Sequence, residues 1–284
     1  QGVVFLATVS SYFSIGPVSP QTTMAVHPES TTCVDLLSNE GCEYMYIDGV
    51  TTVTFFDGPV PLEQLKDRLV KIVQASPWLA GKLAKKKGKT VQMEFDSEPT
   101  TERVLDLLLH QIELDISPQM PFEAMIEKVK GSQAHVIGGF ALLKKGLPYT
   151  RMTVAKKDGN SWALIFSISH VVADGYTYYK VLGMLSEKKE VAPFNPTRHH
   201  DFVPRLKEAV GPKVYSTYMG SVPLIMNYVG NMTFGSKPRV RAFYVDTDKV
   251  EAEKKKSSGT EFVSTNDILT VFWGRLSGAR LLEM

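Results

Sequence analysis

Ser169-His170-Val171-Val172-Ala173-Asp174-Gly175 sets an imidazole four residues before a carboxylate, at the end of the apolar run Trp162 to Ser169. That pattern suits proton transfer. A strand delivering the ring to its last position, followed by a tight turn closed by Asp174 and Gly175, fixes the ring's direction without a neighbouring nucleophile, so the chemistry it allows is that of a positioned general base. The bland alternative for His170 is a core histidine satisfied by a backbone partner. His199, His200 and Asp201 invite a metal reading. Adjacent histidines point in different directions, however, and no further ligand is spaced to complete a site, so this trio reads as loop and no metal centre is expected.

The elements that must position His170 are legible around it. Alternation puts Leu164, Phe166, Ile168 and His170 on one face of a strand over 161–169, and a partner strand runs from Tyr149 to Ala155. Lys156-Lys157-Asp158-Gly159-Asn160 between them carries the Asp-Gly signal of a hairpin. After Gly175 the residues Tyr178, Val181, Leu182 and Leu185 have helical spacing, which makes the order strand, histidine, turn, helix. Tyr176, Tyr178 and Tyr179 bring an aromatic neighbourhood that helix packing explains equally well. Upstream, Pro61 to Val73 is an amphipathic helix ended by Pro77, and Val91 to Phe95 is a short strand. From about Glu190 the chain becomes proline-rich and aperiodic, as a surface crossover between domains would be. Order returns with a strand-like segment over 239–246. Ser264 and Thr265 then cap a helix with Ile268, Leu269, Phe272, Trp273 and Leu276 on its apolar side.

Composition narrows the function classes. With 284 residues, 43% of them hydrophobic, the chain can bury a large core and form two domains. A formal charge of +2 provides no field for nucleic acid, and the lysine clusters read as solvated loops or helix ends. Two cysteines describe neither a disulfide framework nor a metal site, so the expected setting is a reducing intracellular compartment, cytoplasm or an organelle. No segment is long and apolar enough to span a bilayer. The N-terminus has no initiator methionine and no charged side chain before Glu29, which reads as a processed or truncated end. A cleaved transit peptide would suit its Ser/Thr-rich character, but the arginine such peptides favour is missing here, and Gly2 to Val9 is expected as an edge strand.

Three segments together resemble one family. Ser169-His170 to Asp174-Gly175 is similar to the His-x-x-x-Asp motif of coenzyme A-dependent acyltransferases of the BAHD type, and of the related condensation-domain and chloramphenicol-acetyltransferase-like folds. Leu69 to Leu83, ending Pro77-Trp-Leu79-Ala80-Gly81-Lys82-Leu83, looks like the family's early helix, with Lys82 in place of the usual arginine. Ser264 to Arg280, containing Leu269-Thr270, Trp273 and Ala279-Arg280, looks like a helix of its second domain. Ser169 stands where some relatives carry a first histidine.

The resemblance implies a chloramphenicol-acetyltransferase-like α/β fold of mixed sheets in two domains. Residues 1–189 would be an N-terminal domain carrying the motif, 190–238 a crossover, and 239–284 the start of a C-terminal domain present only in part, since members of the family continue well beyond this point. It also implies the chemistry: His170 as general base in moving an acyl group from a coenzyme A thioester to an alcohol or amine. Acyl-CoA would be a co-substrate rather than a bound cofactor. Asp174 and Gly175 would support the motif structurally, Asp174 by pairing with an arginine of the second domain, for which Arg280 or Arg275 is the match. The coenzyme-binding residues are not indicated. A second reading follows from the same truncation: a catalytically silent, acyltransferase-like subunit of a larger assembly, with a protein partner covering the partial second domain.

Overall fold

A computed structural model describes residues 4–7, 31–41, 44–85, 90–156, 160–234, 245–256 and 263–277. The tip of the expected Asp-Gly hairpin, most of the strand expected over 239–246, Cys42 and Arg280 lie outside these residues. The chain divides into two compact units, residues 1–238 and 239–284.

The first unit is built on a five-stranded mixed sheet and a three-stranded antiparallel one. Strands β1 (Val4–Ala7), β3 (Val50–Asp57), β8 (Ser161–Ile168), β7 (Thr150–Lys156) and β6 (Leu109–Glu113) form the large sheet in that spatial order, and β2 (Thr31–Asp35), β5 (Val91–Asp96) and β4 (Lys82–Lys85) form the small one. Among the described residues the N-terminal strand sits at an edge, paired with β3. Among the described residues only the β6–β7 pair is parallel, and helix α2 (Thr101–Leu108) leads directly into β6.

Strand β8 is central, and its alternation assigns side chains to two cores. Trp162, Leu164, Phe166 and Ile168 face a large cluster shared with α1 (Leu62–Ala75), α2, α5 (Gly175–Met184) and the small sheet. Ala163 and Ile165 face a smaller cluster beneath α3 (Phe122–Gly131). Both faces are covered, which explains why the strand reads as a near-continuous apolar run. The amphipathic helix expected from Pro61 is α1, whose Leu65, Leu69, Ile72 and Val73 are buried at steps of three and four. Pro77 opens a short 3-10 turn, Pro77–Ala80, that turns the chain into β4.

The helix α4 (Gly139–Lys145) starts tightly against the motif. A Cβ on Gly139 would lie 2.7 Å from Val171 and 2.8 Å from the Met45 sulfur, so only glycine permits that approach.

The crossover differs from expectation. Its first part is extended, as the prolines require, but it is laid onto the first unit: Phe194 N–H donates to Ser76 Oγ at 2.9 Å and Trp78 Nε1–H to the Phe194 carbonyl at 3.3 Å. Arg68 donates to the carbonyls of Met184, Ser186 and Lys189 where the crossover begins. Three helices follow, α6 (Phe202–Val210), α7 (Pro212–Gly220) and α8 (Val222–Phe234). The side-chain tethers have no periodicity, and the prolines that made the segment read as aperiodic include Pro204, Pro212 and Pro223, which stand in the first turns of these helices.

In the second unit α9 (Thr247–Lys256) packs on α10 (Thr265–Ser277). Ser264 caps α10 reciprocally: its Oγ accepts from Asp267 N–H at 3.2 Å while the Asp267 carboxylate accepts from Ser264 N–H at 2.8 Å. Phe272, Trp273 and Leu276 are exposed on this helix.

Candidate active site

The strand stops at Ile168, so His170 is not the last strand residue but the second residue beyond it, inside the turn that joins β8 to α5. The turn is set by Ser169. Its N–H donates to the Tyr149 carbonyl at 2.8 Å, its carbonyl accepts from Val172 and Ala173 N–H, and its Oγ accepts from Val171 N–H at 3.3 Å. Ser169 is fully buried, so these bonds satisfy the backbone that would otherwise be orphaned as the strand ends. Val171, Val172 and Ala173 are buried behind the turn, which holds the intervening backbone down while His170 stands half-exposed.

Tyr44, on the short 3-10 helix Tyr44–Tyr46, stacks on the imidazole with ring centroids 4.7 Å apart and planes 2° from parallel. This contact fixes the ring plane. His170 Nδ1 is buried and has no hydrogen-bond partner among the described residues. The ring's other nitrogen is Nε2, and a proton carried on Nδ1 would leave the Nε2 lone pair free to accept.

Asp174 closes the turn as the N-cap of α5. Its Oδ1 accepts from Thr177 N–H at 2.8 Å, and its backbone carbonyl takes the first helical bond from Tyr178 N–H. Gly175, the first residue of the helix, has open space where a Cβ would stand and an ordinary negative φ, so nothing in the backbone demands glycine there. Of the two arginines considered as partners for Asp174, Arg275 is exposed on α10 in the second unit and Arg280 lies outside the described residues.

The helix α5 is locked to the sheet through Tyr178. Its hydroxyl donates to the Phe166 carbonyl at 2.7 Å and pairs with Thr52 Oγ1 at 2.8 Å, and its burial raises the phenol well above its ordinary range. Tyr178 is thus a packing residue, while Tyr176 and Tyr179 are exposed on the helix surface.

Arg198 is the residue that sequence reasoning missed. It lies beside His199 and His200, both of which are exposed at the end of the extended crossover. The Arg198 side chain is mostly buried, donates to the Val172 carbonyl at 2.9 Å, and forms an ion pair with Glu40 at 2.9 Å. Glu40 in turn accepts from Leu37 N–H at 2.8 Å. The crossover and the 36–41 turn are in this way joined to the motif turn. Nothing about a lone arginine in a proline-rich segment signals such a tether; its meaning appears only when the carbonyl of Val172 arrives beside it.

No protein-family model and no curated protein matches the chain. Solved structures do. The chain is similar to the first condensation domain of the calcium-dependent antibiotic synthetase, solved with a substrate analogue, at a TM-score of 0.50 and 16% identity over 89% of this chain and 63% of that one. Polyketide synthase associated protein 5 from Mycobacterium tuberculosis gives a TM-score of 0.47 at 13% identity, over 83% of this chain and 55% of that one. TRI101 of F. graminearum, complexed with ethyl coenzyme A, gives 0.45 at 14%, over 88% and 62%. The chain therefore spans less than two thirds of the length of each of these structures. Identity this low speaks for architecture alone: the chain has the mixed α/β, chloramphenicol-acetyltransferase-like fold of the condensation domains.

Proposed function

We propose that this chain belongs to an acyltransferase that moves an acyl group from a coenzyme A thioester to an alcohol or amine, with His170 as general base. The observation that carries the reading is the placement of His170 in this fold: a half-exposed imidazole in the turn between a central strand and a capped helix, its plane held by Tyr44 and its Nδ1 turned inward. Residues 1–189 form the motif-bearing domain, 190–238 the crossover and 239–284 the start of a second domain.

The step balances as a direct transfer. The acceptor O–H or N–H gives its proton to His170 Nε2 as the heteroatom attacks the thioester carbonyl carbon. The new C–O or C–N bond forms, the C–S bond breaks, and the imidazolium returns the proton to the departing thiolate, giving free coenzyme A thiol. No acyl-enzyme is required. The protein contributes by holding the base at a fixed angle and by aligning the reactants, which lowers the barrier through proximity. Asp174 acts on the turn and not on the proton. Acyl-CoA is a co-substrate, and no resident cofactor enters the step.

The test is release of free thiol from acetyl-CoA and longer acyl-CoA thioesters in the presence of a panel of alcohols and amines. His170→Ala is expected to abolish acceptor-dependent thiol release, a loss of about 10²-fold or more. Equal turnover in the variant overturns the general-base role, and no turnover in the unaltered chain favours the catalytically silent reading.

A further inference from the structure

A groove of about 1360 Å³, its open mouth included, runs between the end of the large sheet and the small sheet within the first unit. Neither His170 nor Tyr44 lines it. Its walls carry Arg151 from β7, His110 from β6, Arg103 from the first turn of α2 and Lys145 from the last turn of α4.

Arg151 is the most informative of these. Its guanidinium is partly buried, which lowers its pKa, yet among the described residues its hydrogen-bond partner is a neutral group, the Gln133 carbonyl at 2.6 Å. A cation taken out of water without a carboxylate beside it is unfavourable, and an arriving anion relieves that cost. His110 stands near it with Nε2 buried and no hydrogen-bond partner among the described residues. Burial, and then the charge of Arg151, push the His110 pKa down to about 4, so at neutral pH it is an uncharged hydrogen-bonding group. Arg103 and Lys145 make no ion pair among the described residues.

Three acidic groups also line the groove, and among the described residues none of them pairs with Arg151, Arg103 or Lys145. Glu94 is paired with Lys82 at 2.9 Å, Asp96 accepts from Glu98 N–H at 3.0 Å, and Asp106 is exposed to solvent on α2. Its cavity volume of about 320 Å³ lies within the range that small-molecule sites take.

We infer that this groove is a binding site for a small organic anion, whose carboxylate or phosphate group sits against Arg151 with His110 as a neutral hydrogen-bonding neighbour and Arg103 and Lys145 adding charge from the walls. Arginine suits the role because its planar fork matches both oxyanion geometries. The site is separate from the acyl-transfer turn but mechanically close to it. The helix α4 has Gly139 packed on Val171 at one end and Lys145 in the groove at the other, about 10 Å along the axis.

The experiment is calorimetric titration of the whole chain with succinate and, separately, with inorganic phosphate at constant ionic strength. The variants are Arg103→Ala/Lys145→Ala, Arg151→Gln, and Lys144→Ala as a control. Lys144 is exposed on the same helix but does not line the groove. One anion is expected to bind the unaltered chain and Lys144→Ala with equal affinity, and to bind the other two variants at least about 10-fold more weakly, a difference of about 1.4 kcal/mol. Preference for succinate identifies a carboxylate ligand, and preference for phosphate a phosphorylated one. The double variant changes only side chains at the walls, so the test stands even where Arg151→Gln fails to fold. The inference is overturned by the absence of saturable binding of either anion, by unchanged affinity in the double variant, or by an equal loss in Lys144→Ala.

Discussion

The imidazole of His170 owes its direction to a single flat contact. Because Tyr44 stacks on it at 4.7 Å with planes 2° apart, the ring's rotation is restricted by area and not by a hydrogen bond. Tyr44→Phe preserves that area and is expected to retain most turnover. Tyr44→Ala frees the ring and is expected to lower kcat about 10-fold or more with KM little changed, because in the proposed mechanism only the angle of the base is lost; steady-state kinetics in the thiol-release assay read both parameters. A second prediction at this scale concerns His110. Its pKa is held near 4 in the folded chain against an ordinary value of 6.5, so between those values the unfolded chain binds the proton and the folded chain does not. Stability therefore falls as pH drops from about 6.5 towards 4. In His110→Gln, which cannot take up that proton, urea unfolding across the same window is expected to show a shallower loss.

Helix α5 carries the motif's second half, and its start is stabilised by one carboxylate. Asp174 accepts from Thr177 N–H, and its negative charge lies at the positive end of the helix. Asp174→Ala removes both effects and is expected to cost about 1 kcal/mol in denaturant unfolding, with Asp174→Asn recovering most of it. Were the pairing with a second-domain arginine the main role, Asn would fail to rescue. The wider lesson at this scale concerns periodicity. Strands β7 and β8 and helices α1, α5 and α10 were legible because each repeats apolar residues at its own period and is punctuated by Pro, Gly, Ser or Asp. Helices α6 to α8 were not, because prolines punctuate their segment; Pro204, Pro212 and Pro223 each stand in the first turn of a helix, where proline is tolerated.

Across the first unit as a whole, Arg198 ties three segments distant in sequence: the crossover, the 36–41 turn through Glu40, and the motif turn through the Val172 carbonyl. Arg198→Ala leaves a mostly buried carboxylate without its cation and a carbonyl without its donor. It is expected to cost about 2 kcal/mol of stability and to reduce turnover, whereas the same substitution at exposed Arg205 changes neither; thermal unfolding and the thiol-release assay compare the two. The sequence by itself determined the strand, the turn closed by Asp174, the helix after it, and the resemblance that predicted this fold, because local periodicity and short-range turn signals are written in neighbouring residues; it set His170 on the strand, and the structure moved it into the turn. The tertiary structure alone decided that Tyr44 faces His170, that Arg198 braces the turn, and that Arg151, His110, Arg103 and Lys145 come to line one groove. Each of those contacts joins residues from different elements, and a stacking distance or an unpaired buried charge exists only once the chain has folded them together.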